Sequence, residues 1–546
     1  MTKRILNLLI ILFLIILSLP AILPYFHPGY FPTHDGEWAV VRLGDMFRLL
    51  RDFQIPARYS GELNFGYGYP LFDFTYPLPY YLGMIPYLFR FGFVGSIKIL
   101  FAGSVLLSAV FMFLASKELW KTTWAGVVSA VLYVYFPYRM VDLYVRGSIG
   151  ESLSFALFPV LLFLAIKLIE KFSLKLIALI GISVAFLIMT HNIMTVLFMP
   201  LYIIFALVLV VLKNKKSIKS FLLSILLGLG LSAFFWIPAI LEKGNILLSK
   251  IPIANRNLYF VSLKQLIIPG WGYGVPTDIG GFSYQLGVVN IAVFIFIVLS
   301  LLFFSLRFKK NFADYYIKIA GTLTVFSACY LFLLFRSSEF LWQLPLLSEI
   351  NYPWIALGIL GFLLSLVAGF FCRSIFGKYL MIILTILGFF TVLPYAKPEK
   401  FINKSDSYYL TNEATTTSSD ELMPLWVKSF PLQRALKKVE LPPGAGSIQG
   451  VTYDSKQVMF FVNLVAPAKI RINTIYYPGW KIYIDDINAK ISYDNLQGVM
   501  EIAVPAGHHI IIANFTETPL RLTSDIISLI SLLAALVLLK KKYAIS

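Results

Sequence analysis

The stretch ILNLLIILFLIILSLPAIL, residues Ile5 to Leu23, is almost entirely apolar and is long enough to cross a hydrocarbon core of ~30 Å as a helix. Similar stretches recur along the 546 residues, of which 58% are hydrophobic and only 14% are charged. The sequence therefore predicts a polytopic α-helical membrane protein with about twelve transmembrane helices. The predicted spans are about 5–23, 95–116, 122–137, 152–170, 174–190, 193–212, 219–241, 285–306, 315–335, 352–372, 378–395 and 523–539.

The net charge of +18 reflects membrane topology rather than a polyanion-binding surface, because the basic residues fall in alternate loops. By the positive-inside rule these loops are cytoplasmic, so both termini are predicted to lie on the cytoplasmic side of the cell membrane. Of the 28 acidic residues, only Glu118, Glu170 and Asp314 lie on that side. We therefore expect the lipid bilayer as a partner and no nucleic acid. The basic residues concerned include Lys117, Lys121, Lys167, Lys213, Lys215, Lys216, Arg307, Lys309, Lys310, Arg373, Lys378 and Lys540 to Lys542.

The chain is predicted to have three parts. Residues 1–395 form a transmembrane domain with a long external loop at 24–94, and residues 396–522 form an extracytoplasmic linker and β domain. Residues 523–546 form the final transmembrane helix and a cytoplasmic basic tail. The stretch Ser405 to Glu421 is rich in Ser, Thr, Asp and Asn, and this composition is typical of a linker.

From about residue 450 the sequence pattern changes from helices to strands. Apolar and polar residues alternate, as in Lys469 to Asn473, and turn residues separate the alternating runs, as at Asp485-Asp486 and Pro505-Ala506-Gly507. This pattern predicts a small antiparallel all-β sandwich, tethered to the membrane by the last span.

The external loop carries an acidic pair, Asp35-Gly36-Glu37, about a dozen residues beyond the first span. A carboxylate at the outer membrane face can deprotonate an acceptor hydroxyl while a lipid-phosphate group departs, so Asp35 is the strongest catalytic candidate. Glu37 is expected to assist it directly or through Mg²⁺ or Mn²⁺, which favour oxygen ligands. His34 is expected to hydrogen-bond the phosphate or to tune Asp35. Alternatively, the acids only cap a helix that begins near Glu37.

The rest of the external loop suggests contact with lipid or sugar. Glu37 to Phe53 is predicted to be an amphipathic helix that lies in the membrane interface, with its basic face towards phosphate headgroups. Asn64 to Pro77 is dense in aromatic residues, and its Gly and Pro spacing favours a shaped groove in which Tyr67 and Tyr69 bind substrate. Interfacial anchoring by aromatic side chains is the alternative interpretation.

A second polar cluster follows the third predicted span and consists of Arg139, Asp142, Arg146 and Glu151. Arginine binds phosphate bidentately, so Arg139, Arg146 and Glu151 are candidate substrate-binding residues. Asp142 is a candidate to complete a cation site with the acids of the external loop. A surface Arg–Glu pair with a helix cap at Glu151 is the alternative.

His191 occupies a very tight outward turn, Thr190-His191-Asn192, between two predicted spans. It is a candidate contact for a substrate headgroup, or else a satisfied turn residue. The cores of the predicted spans carry almost no ionisable residue, whereas ion-coupled transporters usually hold such residues near the midplane. This distribution weighs against a proton- or sodium-driven carrier and favours chemistry at the outer surface.

Taken together, these residues resemble the GT-C superfamily of membrane glycosyltransferases, which combine many spans with an acidic motif in the first external loop. Within it, Asn64 to Pro77, Arg146 to Glu151 and Thr190 to Asn192 resemble the membrane proteins labelled "6-pyruvoyl-tetrahydropterin synthase-related". Tyr476 to Lys481 and Val504 to His508 are similar to the tail of YfhO-type membrane proteins. The pterin label does not imply pterin chemistry, since pterin synthases are small soluble zinc enzymes whose histidine trio this chain lacks.

The resemblance implies transfer of a sugar from a polyprenyl-phosphate donor to an extracytoplasmic glycan, lipid or protein acceptor. In it, Asp35 matches the catalytic acidic position, and Glu37 matches the second acid of a DxE-like motif. Asp142 corresponds loosely to a second acidic motif, and because there is no strict second D-x-D, metal dependence stays open. The alternatives are a transporter or flippase of lipid-linked saccharides, and a non-catalytic cell-envelope assembly protein.

Overall fold

A computed structural model of the chain describes residues 3–275, 281–307 and 314–540. The predicted basic residues Lys309 and Lys310, and the predicted basic tail beyond Lys540, lie outside the described residues. The α-helices are α1 Lys3–Ser18, α2 Gly36–Arg51, α3 Leu71–Phe74, α4 Leu78–Leu88, α5 Gly92–Trp120, α6 Thr123–Val134, α7 Pro137–Val141, α8 Ile149–Glu170, α9 Leu174–Thr190, α10 Asn192–Lys213, α11 Ile218–Leu231, α12 Ala233–Leu241, α13 Leu263–Ile267, α14 Val288–Arg307, α15 Tyr315–Leu333, α16 Ala356–Phe371, α17 Ile375–Val392, α18 Asp406–Leu410 and α19 Pro519–Lys540.

Many of these helices have the length and composition of membrane spans, so the chain is a polytopic membrane protein. A bent pair, Lys215–Leu231 with Ala233–Leu241, turns by 70° and counts as one further span if it is a single broken helix. The predicted count of about twelve spans is not confirmed, because the four remaining predicted positions hold shorter apolar helices, at Ile5–Ala21, Thr123–Val134, Leu174–Thr190 and Val288–Phe303. Seven described helices are long and apolar enough to cross a membrane: Gly92–Trp120, Ile149–Glu170, Asn192–Lys213, Tyr315–Leu333, Pro353–Phe371, Ile375–Tyr395 and Pro519–Lys540.

Helix α16 lies at the centre of the helical part, and all of its residues from Ala356 to Gly369 are buried. It packs against α6 and α15, while α5 packs against α6 and α8. Glycine permits close packing here, since a Cβ atom at Gly361 would lie 2.6 Å from the ring of Phe136. Apolar burial on every side of α16 identifies it as a core helix of the bundle.

The structure corrects the prediction that Glu37 to Phe53 lies in the interface with its basic face towards headgroups. Helix α2 instead packs against α4, α5 and α18. Its side chain Arg42 bonds to Thr416 of the linker rather than facing lipid. The helix is amphipathic because one face packs on the protein. The residues that it buries include Ala39, Val40, Val41, Leu43, Asp45, Met46 and Leu49.

The C-terminal part confirms the predicted antiparallel all-β fold. The strands are β1 Val439–Glu440, β2 Gly446–Tyr453, β3 Gln457–Leu464, β4 Ala468–Ile475, β5 Trp480–Ile484, β6 Ile487–Ala489, β7 Val499–Val504 and β8 Gly507–Phe515. They form a three-stranded sheet of order β1-β4-β7 and a five-stranded sheet of order β2-β3-β8-β5-β6, antiparallel throughout. The predicted hairpin turn joins β5 to β6, and both Asp485 and Asp486 have positive φ, as the tight hairpin requires.

A buried ionic cluster joins the β domain and α19 to the transmembrane domain. Arg58 of the external loop lies 3.5 Å from Asp73 and 2.8 Å from Asp525 of α19. Arg521, also in α19, lies 3.1 Å from Asp73 and 2.6 Å from Glu242, which follows the bent helix pair. Because breaking a buried ion pair leaves an uncompensated charge, this cluster holds the three parts in one arrangement.

Candidate functional site

The acidic external loop and the arginine cluster meet through main-chain hydrogen bonds. The His34 N–H donates to the Val145 carbonyl at 3.0 Å, and the Asp35 N–H donates to the Arg146 carbonyl at 2.8 Å. Asp142–Arg146 forms one π-helical turn, which ends at Gly147. The backbone therefore places the Asp35 and Arg146 side chains next to each other, and their charged groups lie 3.7 Å apart.

A cavity of about 210 Å³ opens beside Asp35, whose side chain is 40% exposed. It is walled by α2, by the turn before α8, by the turn between α9 and α10, and by the linker before the β domain. Its lining residues are Asp35, Trp38, Ala39, Arg42, Tyr76, Tyr80, Arg146, Gly147, Ser148, Ile149, His191, Ile253, Thr417, Ser418 and Glu421. Of the residues predicted for the site, Asp35, Arg146 and His191 are brought together in this one cavity.

The guanidinium of Arg146 is held in place from several sides. It forms an ion pair with the buried Glu151, and it donates to the Tyr138 hydroxyl at 3.3 Å. The Tyr138 hydroxyl in turn donates to Glu151 at 2.9 Å. The guanidinium also stacks over the ring of Trp354, 4.6 Å from its centroid. Such fixed donors need no reorganisation when an anion arrives. The Arg–Glu pair that was the alternative interpretation of this cluster thus exists, between Arg146 and Glu151, but Arg146 also faces the cavity.

His191 presents a neutral donor to the same cavity. Burial, reinforced by the positive charge of Arg146, lowers the pKa of His191 to about 3, so the ring is uncharged at neutral pH. Its Nδ1 accepts a hydrogen bond from the Met194 N–H at 3.2 Å. The proton of the neutral ring therefore sits on Nε2, which is available as a hydrogen-bond donor.

Two of the predicted partners of Asp35 lie outside the cavity lining. Glu37 is half-buried, its charge acts on Tyr30 and Tyr409, and burial raises its pKa. The ring Nε2 of His34 donates to the Tyr273 carbonyl at 3.1 Å. Neither Glu37 nor His34 therefore contacts Asp35 as predicted, because neighbouring residues at the start of α2 point in different directions.

Arg139, Asp142 and Glu151 lie in the protein behind Arg146 and do not line the cavity. Arg139 donates to the Ser152 carbonyl at 3.2 Å and to the Ser104 hydroxyl at 3.0 Å. Burial raises the pKa of Asp142, whereas the charge of Arg139 lowers it. Their burial and internal partners indicate positioning roles rather than the predicted direct contact with substrate.

The predicted metal ligands Asp35, Glu37 and Asp142 do not converge on one point. Asp35 faces the cavity beside Arg146, Glu37 faces Tyr30, and Asp142 is fully buried. In the part of the chain that the structure describes, no three His, Cys, Asp or Glu side chains are arranged to hold a metal ion. The donor set therefore does not fit a divalent cation, and metal dependence stays a prediction.

Tyr67 and Tyr69, which are predicted to bind substrate in a groove of the external loop, do not line the Asp35 cavity. Tyr69 is fully buried, and its hydroxyl accepts a hydrogen bond from the Thr416 N–H at 3.1 Å. Tyr67 lines a different, open groove of about 730 Å³, which also includes Lys438 and Tyr453 of the β domain region. The aromatic stretch thus packs the external loop against the linker and the β domain.

Two contributors to the cavity were not predicted from the sequence. Arg42 was assigned to a lipid-facing surface, and the segment Thr416 to Glu421 was interpreted as a plain linker. They meet in the structure although 374 positions separate Arg42 from Thr416. The only sequence signal is the seven-residue spacing of Asp35 and Arg42, which places both on one face of a helix.

A family model described as the 6-pyruvoyl-tetrahydropterin synthase related domain of membrane proteins matches residues 72–393. An uncharacterized protein of Lactococcus lactis subsp. cremoris (strain MG1363) is 27% identical over 327 residues, a match that covers 56% of this chain and 50% of that protein. The chain thus spans half the length of this relative.

Two solved structures have a similar fold. Arabinofuranosyltransferase AftD from Mycobacteria is 14% identical with a TM-score of 0.48, over 74% of this chain and 28% of AftD. The Archaeoglobus fulgidus oligosaccharyltransferase with a tethered acceptor peptide is 14% identical with a TM-score of 0.44, over 79% of this chain and 61% of that enzyme. Similarity at this level does not identify a reaction.

Proposed function

This chain belongs to the family of membrane proteins that carry the 6-pyruvoyl-tetrahydropterin synthase related domain, and we propose that it is a membrane glycosyltransferase. The donor is a sugar linked to a polyprenyl phosphate, and the acceptor is a hydroxyl of an extracytoplasmic glycan, lipid or protein. The active site lies on the extracytoplasmic side of the cell membrane, and both termini lie in the cytoplasm.

One observation carries the proposal: the cavity that contains the exposed carboxylate of Asp35 also contains a fixed guanidinium and a neutral imidazole donor. A general base and a set of phosphate-binding donors are the two functions that glycosyl transfer from a lipid phosphate requires. A transporter of lipid-linked saccharides also has to bind phosphate, but it needs no general base.

In the proposed reaction Asp35 removes the proton of the acceptor hydroxyl, whose oxygen attacks the anomeric carbon of the donor sugar. The bond between that carbon and the phosphate oxygen breaks, and the electron pair leaves with the phosphate. Arg146 and the Nε2–H of His191 stabilise the charge that develops on the phosphate. The products are the glycosylated acceptor, polyprenyl phosphate and a protonated Asp35. A single displacement of this kind inverts the anomeric configuration.

The test uses the purified chain in proteoliposomes with radiolabelled polyprenyl-phosphate sugars as donors. We expect Asp35→Asn to lower the transfer rate by about 10²–10⁴-fold, the usual contribution of a general base. Asp494→Asn is the matched control, because Asp494 is an exposed carboxylate of the β domain region with an 87% exposed side chain. Full transfer by Asp35→Asn, or movement of labelled donor across the membrane without transfer by the natural chain, would overturn the proposal.

A further inference from the structure

Arg42 of α2 is a cation of the cavity whose hydrogen-bond partners are neutral. Its Nε donates to the Thr416 hydroxyl at 3.0 Å, its Nη1 donates to the Tyr80 hydroxyl at 3.3 Å, and its Nη2 donates to the Thr416 carbonyl. The Thr416 hydroxyl also lies 3.1 Å from that of Tyr69. These three hydrogen bonds fix the orientation of the guanidinium, and its remaining N–H groups can donate to a ligand.

Arg42 differs in its charge balance from Arg146, the other arginine that lines the cavity, although the buried Arg139 behind the cavity likewise has no carboxylate within 4.0 Å in the described chain. Arg58, Arg146 and Arg521 each have at least one carboxylate within 4.0 Å. Within the described ranges, Arg42 has none at that distance, and its side-chain hydrogen-bond partners, Thr416 and Tyr80, are uncharged hydroxyls. A shielded charge without a counter-ion is costly unless another group supplies one.

The position of Arg42 shows where such a counter-ion would sit. Asp35 directly precedes α2, Arg42 lies seven residues further along, and both line the same cavity. The guanidinium of Arg42 also lies 5.9 Å from the ring centroid of Trp38, another lining residue. Arg146, across the cavity, is already neutralised by Glu151. Asp35 and Glu421 also line the cavity, but Asp35 lies beside Arg146 and neither carboxylate is within 4.0 Å of Arg42 in the described chain.

We infer that Arg42 is the anchor for the anionic group of the ligand, a phosphate monoester or diester, and that Thr416 of the linker positions Arg42 for this task. The inference rests on the proposed function and deepens it, because it adds to Arg146 and His191 a further residue, on α2, that holds the phosphate. Arginine suits this role, since its planar fork matches the geometry of phosphate oxygens.

The test measures binding without sugar transfer. The full chain in detergent micelles is titrated with radiolabelled polyprenyl phosphate in a scintillation proximity assay. We expect Arg42→Gln to weaken binding by about ten- to a hundredfold, the usual effect of losing charge-assisted hydrogen bonds, and Arg42→Lys to weaken it less. Arg51→Gln is the matched control on the same helix, since the side chain of Arg51 is 66% exposed and lies 3.4 Å from Asp52.

A second variant, Thr416→Val, removes the hydroxyl that Arg42 contacts but keeps the arginine, and we expect a loss of about three- to tenfold. Competition separates the two sources of a phosphate. Displacement by unlabelled polyprenyl phosphate but not by polyprenol or inorganic phosphate indicates a lipid ligand, whereas displacement by inorganic phosphate indicates a free one. Either result supports an anion site.

Unchanged binding by Arg42→Gln would overturn the inference, as would equal loss in Arg51→Gln. The outcome is separate from that of the proposed function. If the chain transfers no sugar but binds phosphate through Arg42, the anion site stands and the glycosyltransferase proposal fails. If Asp35→Asn abolishes transfer while Arg42→Gln binds normally, the proposed function stands and Arg42 is not the anchor.

Discussion

Gly147 sets the distance between the two halves of the candidate site, so its replacement by alanine tests the whole arrangement. Its φ of +64° is a left-handed conformation that costs a residue with a side chain about 1–2 kcal/mol. A Cβ atom there would lie 2.8 Å from the Thr33 Cβ and 2.9 Å from the Gly36 nitrogen. Carbon contacts prefer about 3.5–4.0 Å, so the turn that carries Asp35 must move by about half an ångström or more.

The same contact gives the magnitude of the effect. The Gly36 N–H donates to the Thr33 hydroxyl at 2.9 Å, and a displaced Thr33 would lose this bond, which contributes about 1 kcal/mol. With the backbone strain, Gly147→Ala should destabilise the local turn by about 2–3 kcal/mol. A misplacement of about 1 Å costs about a hundredfold in rate, so we expect transfer to fall by at least about tenfold.

Transfer is measured in proteoliposomes, and size-exclusion chromatography of the detergent-solubilised protein verifies that each variant is folded. Gly103→Ala is the matched control, because a Cβ atom at Gly103 in α5 would meet nothing within 4 Å. A folded Gly147→Ala variant that transfers sugar as fast as Gly103→Ala would refute the reasoning, since the contact between the two turns would then have no influence on the site.

Two further predictions concern stability. Burial raises the pKa of Asp45 to about 6, above its unfolded value of about 3.9, so the native state binds more protons between these values and stability falls as pH rises from about 4 to about 6. Asp45→Asn should therefore raise the free energy of unfolding by up to about 3 kcal/mol at pH 7 but not at pH 4, which is measured as a higher melting temperature at pH 7 only. Equal shifts of the melting temperature at both pH values would contradict this. Arg521→Met removes the ion-pair partner of Glu242 and leaves the buried Asp73 with Arg58 alone, and we expect a loss of about 3–5 kcal/mol and faster proteolytic release of the β domain. Arg336→Met, at a 72% exposed arginine, is the control, and equal proteolysis rates would speak against the cluster as an anchor.

Features that depend on local pattern were predictable from the sequence. The alternation in Lys469 to Asn473 gave the correct strand because side chains of a strand alternate between two faces. The Asp485-Asp486 turn was also correct, since Asp tolerates positive φ. The family was recognisable from the segment Arg146 to Glu151, and the matched family model confirms it. The count of about twelve spans is not confirmed, because four of the predicted positions hold apolar helices shorter than the length that a span normally needs.

Features that depend on distant contacts were not predictable. The charges of α2 are typical of an interfacial helix, and no local pattern indicates that Arg42 meets Thr416. The acids Asp35 and Glu37 are close in sequence, but helix geometry sends them to different sides. The sequence predicts each of three site residues from its outward loop: Asp35, Arg146 and His191. It does not predict that they meet in one cavity, because this depends on how α2 packs against the bundle.

The linker connects the proposed phosphate site to the remote β domain. Thr416 holds the Arg42 guanidinium, and the Glu421 carbonyl accepts a hydrogen bond from the Leu248 N–H at 2.8 Å, so the segment between them is tied at both ends across the cavity. The chain that leaves this segment enters the β domain, which the ionic cluster at Arg521 fixes to the bundle. A displaced β domain would pull on the segment that positions Arg42. On the proposed function, the β domain would contribute to the site through the direction of the Arg42 guanidinium, and none of its described strands lines the cavity.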